Sequence, residues 1–115
     1  MRAVVIGAAG GIGAALADAL AEEDNDVVRL ARADLDVTEE ATIAAAAERV
    51  GKADMVVVAT GLLHDADHGP EKALRDLDPI WLAKQYAVNA IGTALVAKHF
   101  LPLLPRIGRS LSVAL

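Results

Sequence analysis

The sequence has no cysteine and very few aromatic residues. Without cysteine no disulfide framework can form, which is typical of a cytoplasmic protein. Aromatic residues make up 3% of the 115 residues, whereas hydrophobic residues make up 55%. We therefore expect a core built from Ala, Val, Leu and Ile. The length is sufficient for one domain with its own core but not for two.

Long apolar runs and an excess of positive charge are also missing. No run of about 18 apolar residues exists, so no membrane-spanning helix is predicted. The apolar run at residues 3–6 is too short for the core of a signal peptide. The formal net charge of −5 argues against nucleic acid or an anionic membrane as the main partner. Together with the lack of cysteine, these absences agree with a cytoplasmic protein.

A glycine-rich stretch follows the first apolar run. Residues 4–13 read VVIGAAGGIG and lead into an alanine-rich amphipathic segment, which predicts a strand, a tight turn and a helix. Backbone N–H groups at the start of such a helix bind phosphate. The alternative is a glycine-rich turn without a ligand. We predict a dinucleotide site formed by Gly7, Ala9, Gly10, Gly11, Ile12 and Gly13. Gly7 turns the chain out of the strand, Gly10 and Gly11 let the backbone approach a pyrophosphate, and Gly13 lets the helix pack closely on the strand.

The rest of the chain alternates between predicted strands and helices. Strand–helix–strand units of this length need right-handed crossovers and a parallel sheet. The predicted fold is therefore an α/β, Rossmann-like, doubly wound parallel sheet of five strands in the order 3-2-1-4-5. Thr38 is the expected N-cap of the second helix and Gly51 its end. Strands are expected at residues 2–6, 26–31, 34–37, 53–60 and 109–115, and helices at 12–23, 38–50 and 79–104.

The residues after the second predicted strand bear on the choice of cofactor. In an NAD site an acidic residue about 20 positions past the glycines binds the ribose 2′-hydroxyl. Here the strand runs into Leu30-Ala31-Arg32-Ala33, without a carboxylate. Arg32 can pair with a 2′-phosphate instead, although surface arginines are common. We predict NADP rather than NAD.

Two further segments near the predicted cofactor site carry small or polar residues. Ala59-Thr60-Gly61 ends the fourth predicted strand, where small side chains leave room for a ligand. Two histidines and two aspartates at residues 64–68 invite interpretation as a metal site. Their spacing would bring the histidines together only on a helix, and this segment is predicted to be a loop. We therefore expect a solvated loop and no metal.

These features together resemble the N-terminal half of the short-chain dehydrogenase/reductase family. Gly7, Gly11 and Gly13 match its Gly-x-x-x-Gly-x-Gly turn. Asp36-Val37 is similar to the pair that family members place against the adenine ring. The resemblance implies that Arg32 occupies the position where NADP-preferring members often carry an arginine.

The resemblance also extends to the active site. Ala59-Thr60-Gly61 stands where the family has Asn-Asn-Ala-Gly, so the first asparagines are absent. Val88–Gly92 is similar to the segment that carries the active-site asparagine, around which the helix kinks. The resemblance therefore implies that Asn89 is catalytic and holds a water of the proton relay.

The catalytic Tyr-x-x-x-Lys pair of the family is missing. Tyr86 is the only tyrosine, and Ala90 stands four positions later. The resemblance thus implies that residues 1–115 form one NAD(P)-binding Rossmann domain, the N-terminal part of a longer one. The whole protein would transfer hydride between NADP and a carbonyl or alcohol. We also expect a homo-oligomer, because an incomplete sheet exposes an apolar edge.

Two other functions stay open. Gly7, Gly10 and Gly13 also fit the Gly-x-x-Gly-x-x-Gly spacing of the extended relatives, the nucleotide-sugar epimerases and dehydratases. The run Lys98–Pro102 favours the short-chain branch. The second of these functions is a dinucleotide-binding module without catalysis, which agrees with the absence of the catalytic pair.

Overall fold

The fold is a parallel β-sheet with helices on both faces, seen in a computed structural model that describes residues 1–60, 74–106 and 111–114. Neighbouring strands pair in parallel. Within these residues the sheet has four strands in the order β2-β1-β3-β4. The strands are β1 (Arg2–Ile6), β2 (Asp26–Leu30), β3 (Met55–Val58) and β4 (Leu111–Ala114).

The two central strands are apolar because both of their faces are covered. In β1, Val4 and Ile6 contact the larger hydrophobic cluster on one face of the sheet, and Val5 contacts the smaller cluster on the other. Successive side chains of a strand point to opposite faces, which accounts for this alternation. A strand covered on both faces has no need of polar residues, as expected for parallel sheets.

The helices divide between the two faces. Ala17 of α1 (Gly11–Glu22) packs in the smaller cluster. The larger cluster includes Ile43 of α2 (Glu40–Val50) and Phe100 of α4 (Thr93–Phe100). A π-helical segment (Ala87–Gly92) joins α4 to α3 (Pro79–Tyr86), so one long helical run covers residues 79–100. The predicted doubly wound arrangement is confirmed.

Local signals at the helix ends behave largely as predicted. Gly51 follows α2 with a φ of +76°, a backbone conformation that residues other than glycine rarely adopt. Pro79 opens α3, and the Asp78 side chain accepts a hydrogen bond from the N–H of Ile80 at 3.1 Å. Thr38 is not the N-cap of α2, because Glu39 takes that position and Thr38 binds Asp36 instead.

The predicted strand at residues 34–37 is wrong, because these residues form a turn and a loop. The aspartates satisfy local backbone N–H groups, as short polar side chains do in turns. Asp34 accepts from Ala31, and Asp36 accepts from Thr38. The observed order therefore corresponds to strands 2-1-4-5 of the predicted five.

Some expectations fall outside the described residues, namely Gly61 and the histidine-containing loop at 64–68. Within the described ranges no group of three or more potential metal ligands comes together. No helix in the same ranges is both long and apolar enough to cross a membrane.

Candidate cofactor site

The turn after β1 lies at the carboxyl edge of the sheet and requires glycine at its first position. Gly7 has a φ of +87° and donates its N–H to Leu30 O at 2.9 Å. A Cβ built on Gly7 would lie 2.9 Å from the carbonyl carbon of Ala59. The turn therefore passes directly against the end of β3.

Gly13 is required by the packing of α1 on this turn. A Cβ at residue 13 would lie 2.0 Å from the carbonyl oxygen of Gly7 and 3.3 Å from Cα of Ala8. No side chain fits in this space, so the first turn of α1 sits against the backbone of the glycine loop. This confirms the expected close approach of helix and strand.

The N-terminus of α1 is open to solvent. The first helical hydrogen bond of α1 is donated by the N–H of Ala14 to Gly10 O at 2.8 Å. Among the described residues, no side chain caps the N-terminus of this helix. The three N–H groups before that of Ala14, from Gly11 to Gly13, have no partner in the preceding turn of an α-helix. Ala9, Gly10, Gly11 and Ile12 are exposed. The positive end of the helix dipole is thus accessible at the carboxyl edge.

Arg32 lies on a tight turn directly after β2. Asp34 closes this turn by accepting the N–H of Ala31 on its Oδ2 at 2.9 Å, and its own N–H donates to Ala31 O at 2.9 Å. The Arg32 side chain is exposed, and no carboxylate of the described residues lies within ion-pair distance of it. Arg29 points elsewhere and pairs with Asp18 of α1 at 2.8 Å.

Asp36 and Val37 follow in the loop that leads to α2. Hydrogen bonds from the hydroxyl and N–H of Thr38, at 2.6 and 2.9 Å, lower the pKa of Asp36, and the charge of Arg32 adds to this effect. The Asp36 carboxylate is therefore ionised at neutral pH. Val37 is buried against Gly92, where a Cβ would lie 2.9 Å from Cβ of Val37.

Thr60 follows β3 beside the glycine turn. Its Oγ1 is buried and finds no hydrogen-bond partner among the described residues. Unpartnered buried hydroxyls are uncommon in folded proteins and call for an explanation such as a ligand. Its backbone N would lie 3.1 Å from a Cβ on Gly7.

Asn89 lies within the π-helical segment, the irregularity of the long helical run. Its side chain is exposed, and its backbone carbonyl accepts a hydrogen bond from the Thr93 hydroxyl at 3.2 Å. π-Helical turns are frequent at functional sites. The same segment ends at Gly92, which contacts Val37, so the structure connects this segment to the loop after β2.

Sequence reasoning missed the role of Asp34, which was assigned to a strand. An aspartate shortly after a strand end is a common turn signal, because its carboxylate accepts nearby N–H groups. It also missed the contact between Gly92 and Val37, which are too far apart in the chain for any local pattern to reveal.

A family model, described as the NAD dependent epimerase/dehydratase family, matches residues 3–95. The chain belongs to this family. The match spans the glycine turn, the Arg32 turn and the π-helical segment. A comparison with curated protein sequences gives no significant match.

Solved structures agree with this fold. A small-chain dehydrogenase in complex with NADPH is 27% identical with a TM-score of 0.84 over 98% of this chain. The aldohexose dehydrogenase of Thermoplasma acidophilum has 20% identity and a TM-score of 0.83 over 98% of this chain. The dTDP-4-dehydrorhamnose reductase of Bacillus anthracis, in complex with NADP, has 20% identity and a TM-score of 0.68 over 96%.

The chain spans 49%, 48% and 34% of these three proteins, respectively. The resemblance to the N-terminal half of short-chain dehydrogenases is confirmed, and the fold is of the NAD(P)-dependent oxidoreductase type.

Proposed function

We propose that this chain binds NADP(H) as the dinucleotide-binding part of an oxidoreductase that acts on a carbonyl or alcohol. The observation that carries this proposal is the open N-terminus of α1 at the same sheet edge as Arg32, whose guanidinium forms no ion pair with the described residues. Open crevices at the carboxyl ends of parallel strands are the usual ligand sites of such sheets.

The glycine turn supports binding of a pyrophosphate. N–H groups at the start of α1 are directed toward solvent and are complementary to an anion. A Cβ on Gly11 would meet none of the described residues within 4 Å, so this part of the fold does not require glycine there, unlike at Gly7 and Gly13. Close approach of a phosphate explains a glycine at this position. Ala9 and Ile12 contribute backbone to the same surface.

The loop after β2 supports binding of the adenosine 2′-phosphate and the adenine. Arg32 offers a planar guanidinium with no carboxylate of the described residues within ion-pair distance, which suits a phosphate dianion. The ionised Asp36 and the buried Val37 are the residues we assign to the adenine ring. Their loop is fixed by the Thr38 hydrogen bonds and by the contact with Gly92.

The nicotinamide end of the cofactor would supply the hydride. We assign Ala59, Thr60 and Gly61 to the surface below the dinucleotide, because the Thr60 hydroxyl is buried beside the glycine turn without a partner among the described residues. Asn89 is the residue of this chain that we assign to the proton relay, holding a water. The Tyr-x-x-x-Lys pair required for complete catalysis is not in the sequence.

The family match favours a second candidate within the same fold, an enzyme acting on a nucleotide-sugar. Both glycine spacings are present, and the structure requires glycine at Gly7 and Gly13, which the two patterns share. A third candidate, a binding module without turnover, predicts the same cofactor affinity. Because the catalytic pair is not in these residues, the assay needs the whole protein: hydride transfer from bound NADPH to a simple ketone, to a dTDP-4-keto sugar or to neither then distinguishes the three.

Calorimetric titration of the chain with NADPH and with NADH tests the cofactor proposal. We expect tighter NADPH binding, and Arg32→Ala to weaken it by about 10-fold or more through loss of charge-assisted hydrogen bonds worth about 1.5–3 kcal/mol. NADH affinity should change little. Arg29→Ala is the matched control, since it removes the same charge from a side chain paired with Asp18. NADH binding tighter than NADPH binding would contradict the proposal.

A further inference from the structure

The turn that presents Arg32 is closed by the side chain of Asp34. The carboxylate accepts the Ala31 N–H at 2.9 Å, while the N–H groups of Asp34 and Leu35 donate to Ala31 O at 2.9 and 3.1 Å. Residues 31 and 34 are therefore tied together on both sides of Arg32 and Ala33. These bonds restrain the backbone of Arg32, although its side chain is exposed.

The same turn is attached to the body of the protein. The Arg49 side chain, in the last turn of α2, donates to the backbone oxygen of Asp34 at 3.2 Å. The next residue, Leu35, is 4% exposed and belongs to the core. The base of the turn is thus anchored to a helix and to the core.

Asp34 is also the first carboxylate after β2, near the position where an NAD site carries its ribose-binding residue. One of its oxygens is occupied by the Ala31 N–H, a bond that defines the turn. Preorganisation of a binding group reduces the entropy lost when the ligand binds.

We propose that Asp34 is a positioning residue for NADP selectivity, closing the turn that holds Arg32 toward the 2′-phosphate. This inference rests on the proposed NADP function. Asp34 does not touch the phosphate; it acts through the backbone of Arg32. Its loss should therefore affect NADPH, which has the 2′-phosphate, and not NADH, which lacks it.

The test is the ratio of NADPH and NADH dissociation constants in Asp34 variants of the full 115-residue chain. Asp34→Ala is expected to raise the NADPH constant about fivefold, the equivalent of one net hydrogen bond, and the NADH constant less than about twofold. Asp34→Asn keeps an oxygen that accepts the Ala31 N–H and removes a negative charge near the phosphate. It should restore NADPH affinity to the original level or above.

The matched control is Asp54→Ala. Asp54 Oδ2 accepts the N–H of Arg2 at 2.8 Å at the opposite, amino edge of the sheet. This variant loses the same kind of bond and the same charge, and its NADPH to NADH ratio should be unchanged. Circular dichroism spectra establish whether each variant folds. If Asp34→Ala does not fold, the titration of Asp34→Asn decides whether Asp34 positions Arg32.

Three results would overturn the inference. If the ratio of dissociation constants is unchanged in Asp34→Ala but selectivity is lost in Arg32→Ala, Asp34 does not position Arg32, and the NADP proposal stands. Weaker NADH binding in Asp34→Asn would identify Asp34 as a ribose 2′-hydroxyl partner instead. An original chain that binds NADPH no tighter than NADH would overturn the proposed function and the inference together.

Discussion

At the scale of single residues, two glycines separated by one residue serve different purposes. Gly13 has the carbonyl of Gly7 where its Cβ would be, whereas a Cβ on Gly11 would contact no described residue. The first is a requirement of packing, and the second permits a ligand to approach. This distinction divides the glycine motif into a structural part and a part that we assign to the cofactor.

Gly13→Ala should destabilise the chain strongly, by about 3 kcal/mol or more, because a Cβ 2.0 Å from a carbonyl oxygen forces backbone to move. Urea unfolding followed by circular dichroism measures the loss. A stability within about 0.5 kcal/mol of the original, the range typical of surface substitutions, would contradict this packing.

Gly11→Ala is the companion variant and should keep the original stability or gain up to about 1 kcal/mol, because alanine restricts the unfolded chain. Its NADPH affinity should nevertheless fall, since the added methyl group lies on the surface assigned to the pyrophosphate. Equal affinity in the variant and the original chain would argue against that assignment.

At the scale of elements, the long helical run contacts both the loop after β2 and the start of α2. Gly92 packs against Val37, and Glu40 at the start of α2 accepts hydrogen bonds from Lys98 and His99 of α4. Both contacts lie beside the loop assigned to the adenine. The element that carries Asn89 is therefore held directly against the loop that we assign to the adenine.

Gly92→Ala should cost about 1–3 kcal/mol, because its Cβ would lie 2.9 Å from Cβ of Val37 and 3.1 Å from Ala87 O. Combining it with Val37→Ala should recover part of this loss, and a double-mutant cycle in denaturant measures the coupling. Simple additivity of the two substitutions would show that the side chains do not meet.

The Glu40 contact predicts a pH dependence of stability. Hydrogen bonds from Lys98, at 2.8 Å, and from His99 lower the pKa of Glu40 in the folded state. A lowered pKa stabilises the fold above the unfolded-state value, about 4.3, and this contribution is lost as the pH falls through the lower folded-state value. Glu40→Gln should therefore flatten the acid side of the stability profile.

Glu48→Gln is the control for this experiment, because Glu48 is exposed on the same helix and forms no ion pair with the described residues. Thermal unfolding of the three chains between pH 3 and pH 6 would show the difference. Identical acid profiles for the original chain and Glu40→Gln would contradict the contact.

At the scale of the whole molecule, the outer face of α3 exposes large apolar side chains. Ile80 is 83% exposed and Tyr86 is 68% exposed. Exposed apolar surface of this kind is common at protein–protein contacts. The homo-oligomer expected from the sequence stays a prediction, as does the cytoplasmic location.

Sedimentation velocity should show a species heavier than the 11.9 kDa monomer. The double variant Ile80→Lys/Tyr86→Lys should sediment closer to the monomer, because charge on this face opposes burial. Leu101→Lys, at the other end of the helical run and 47% exposed, serves as the control. A monomeric original chain at micromolar concentration would contradict the prediction.

The sequence by itself determined the fold class, the glycine turn and the central apolar strands. It also determined the end of α2 at Gly51 and the start of α3 at Pro79. These follow from local rules, namely backbone freedom, periodicity and capping, which act over a few residues. It also placed Arg32 directly after β2. The strand predicted at residues 34–37 was wrong, because alternation of apolar and acidic residues fits both a strand and a loop whose carboxylates bind backbone N–H groups.

Tertiary structure alone decided which of these residues meet. It placed Gly7 against Ala59 and Gly92 against Val37, and left Arg32 without a carboxylate partner among the described residues. The two contacts join segments separated by tens of residues, and no pattern within one segment encodes such a distance. The hydrogen bond that closes the Asp34 turn is local, but the tertiary fold decided that this turn is attached to Arg49 of α2 and, through Leu35, to the core.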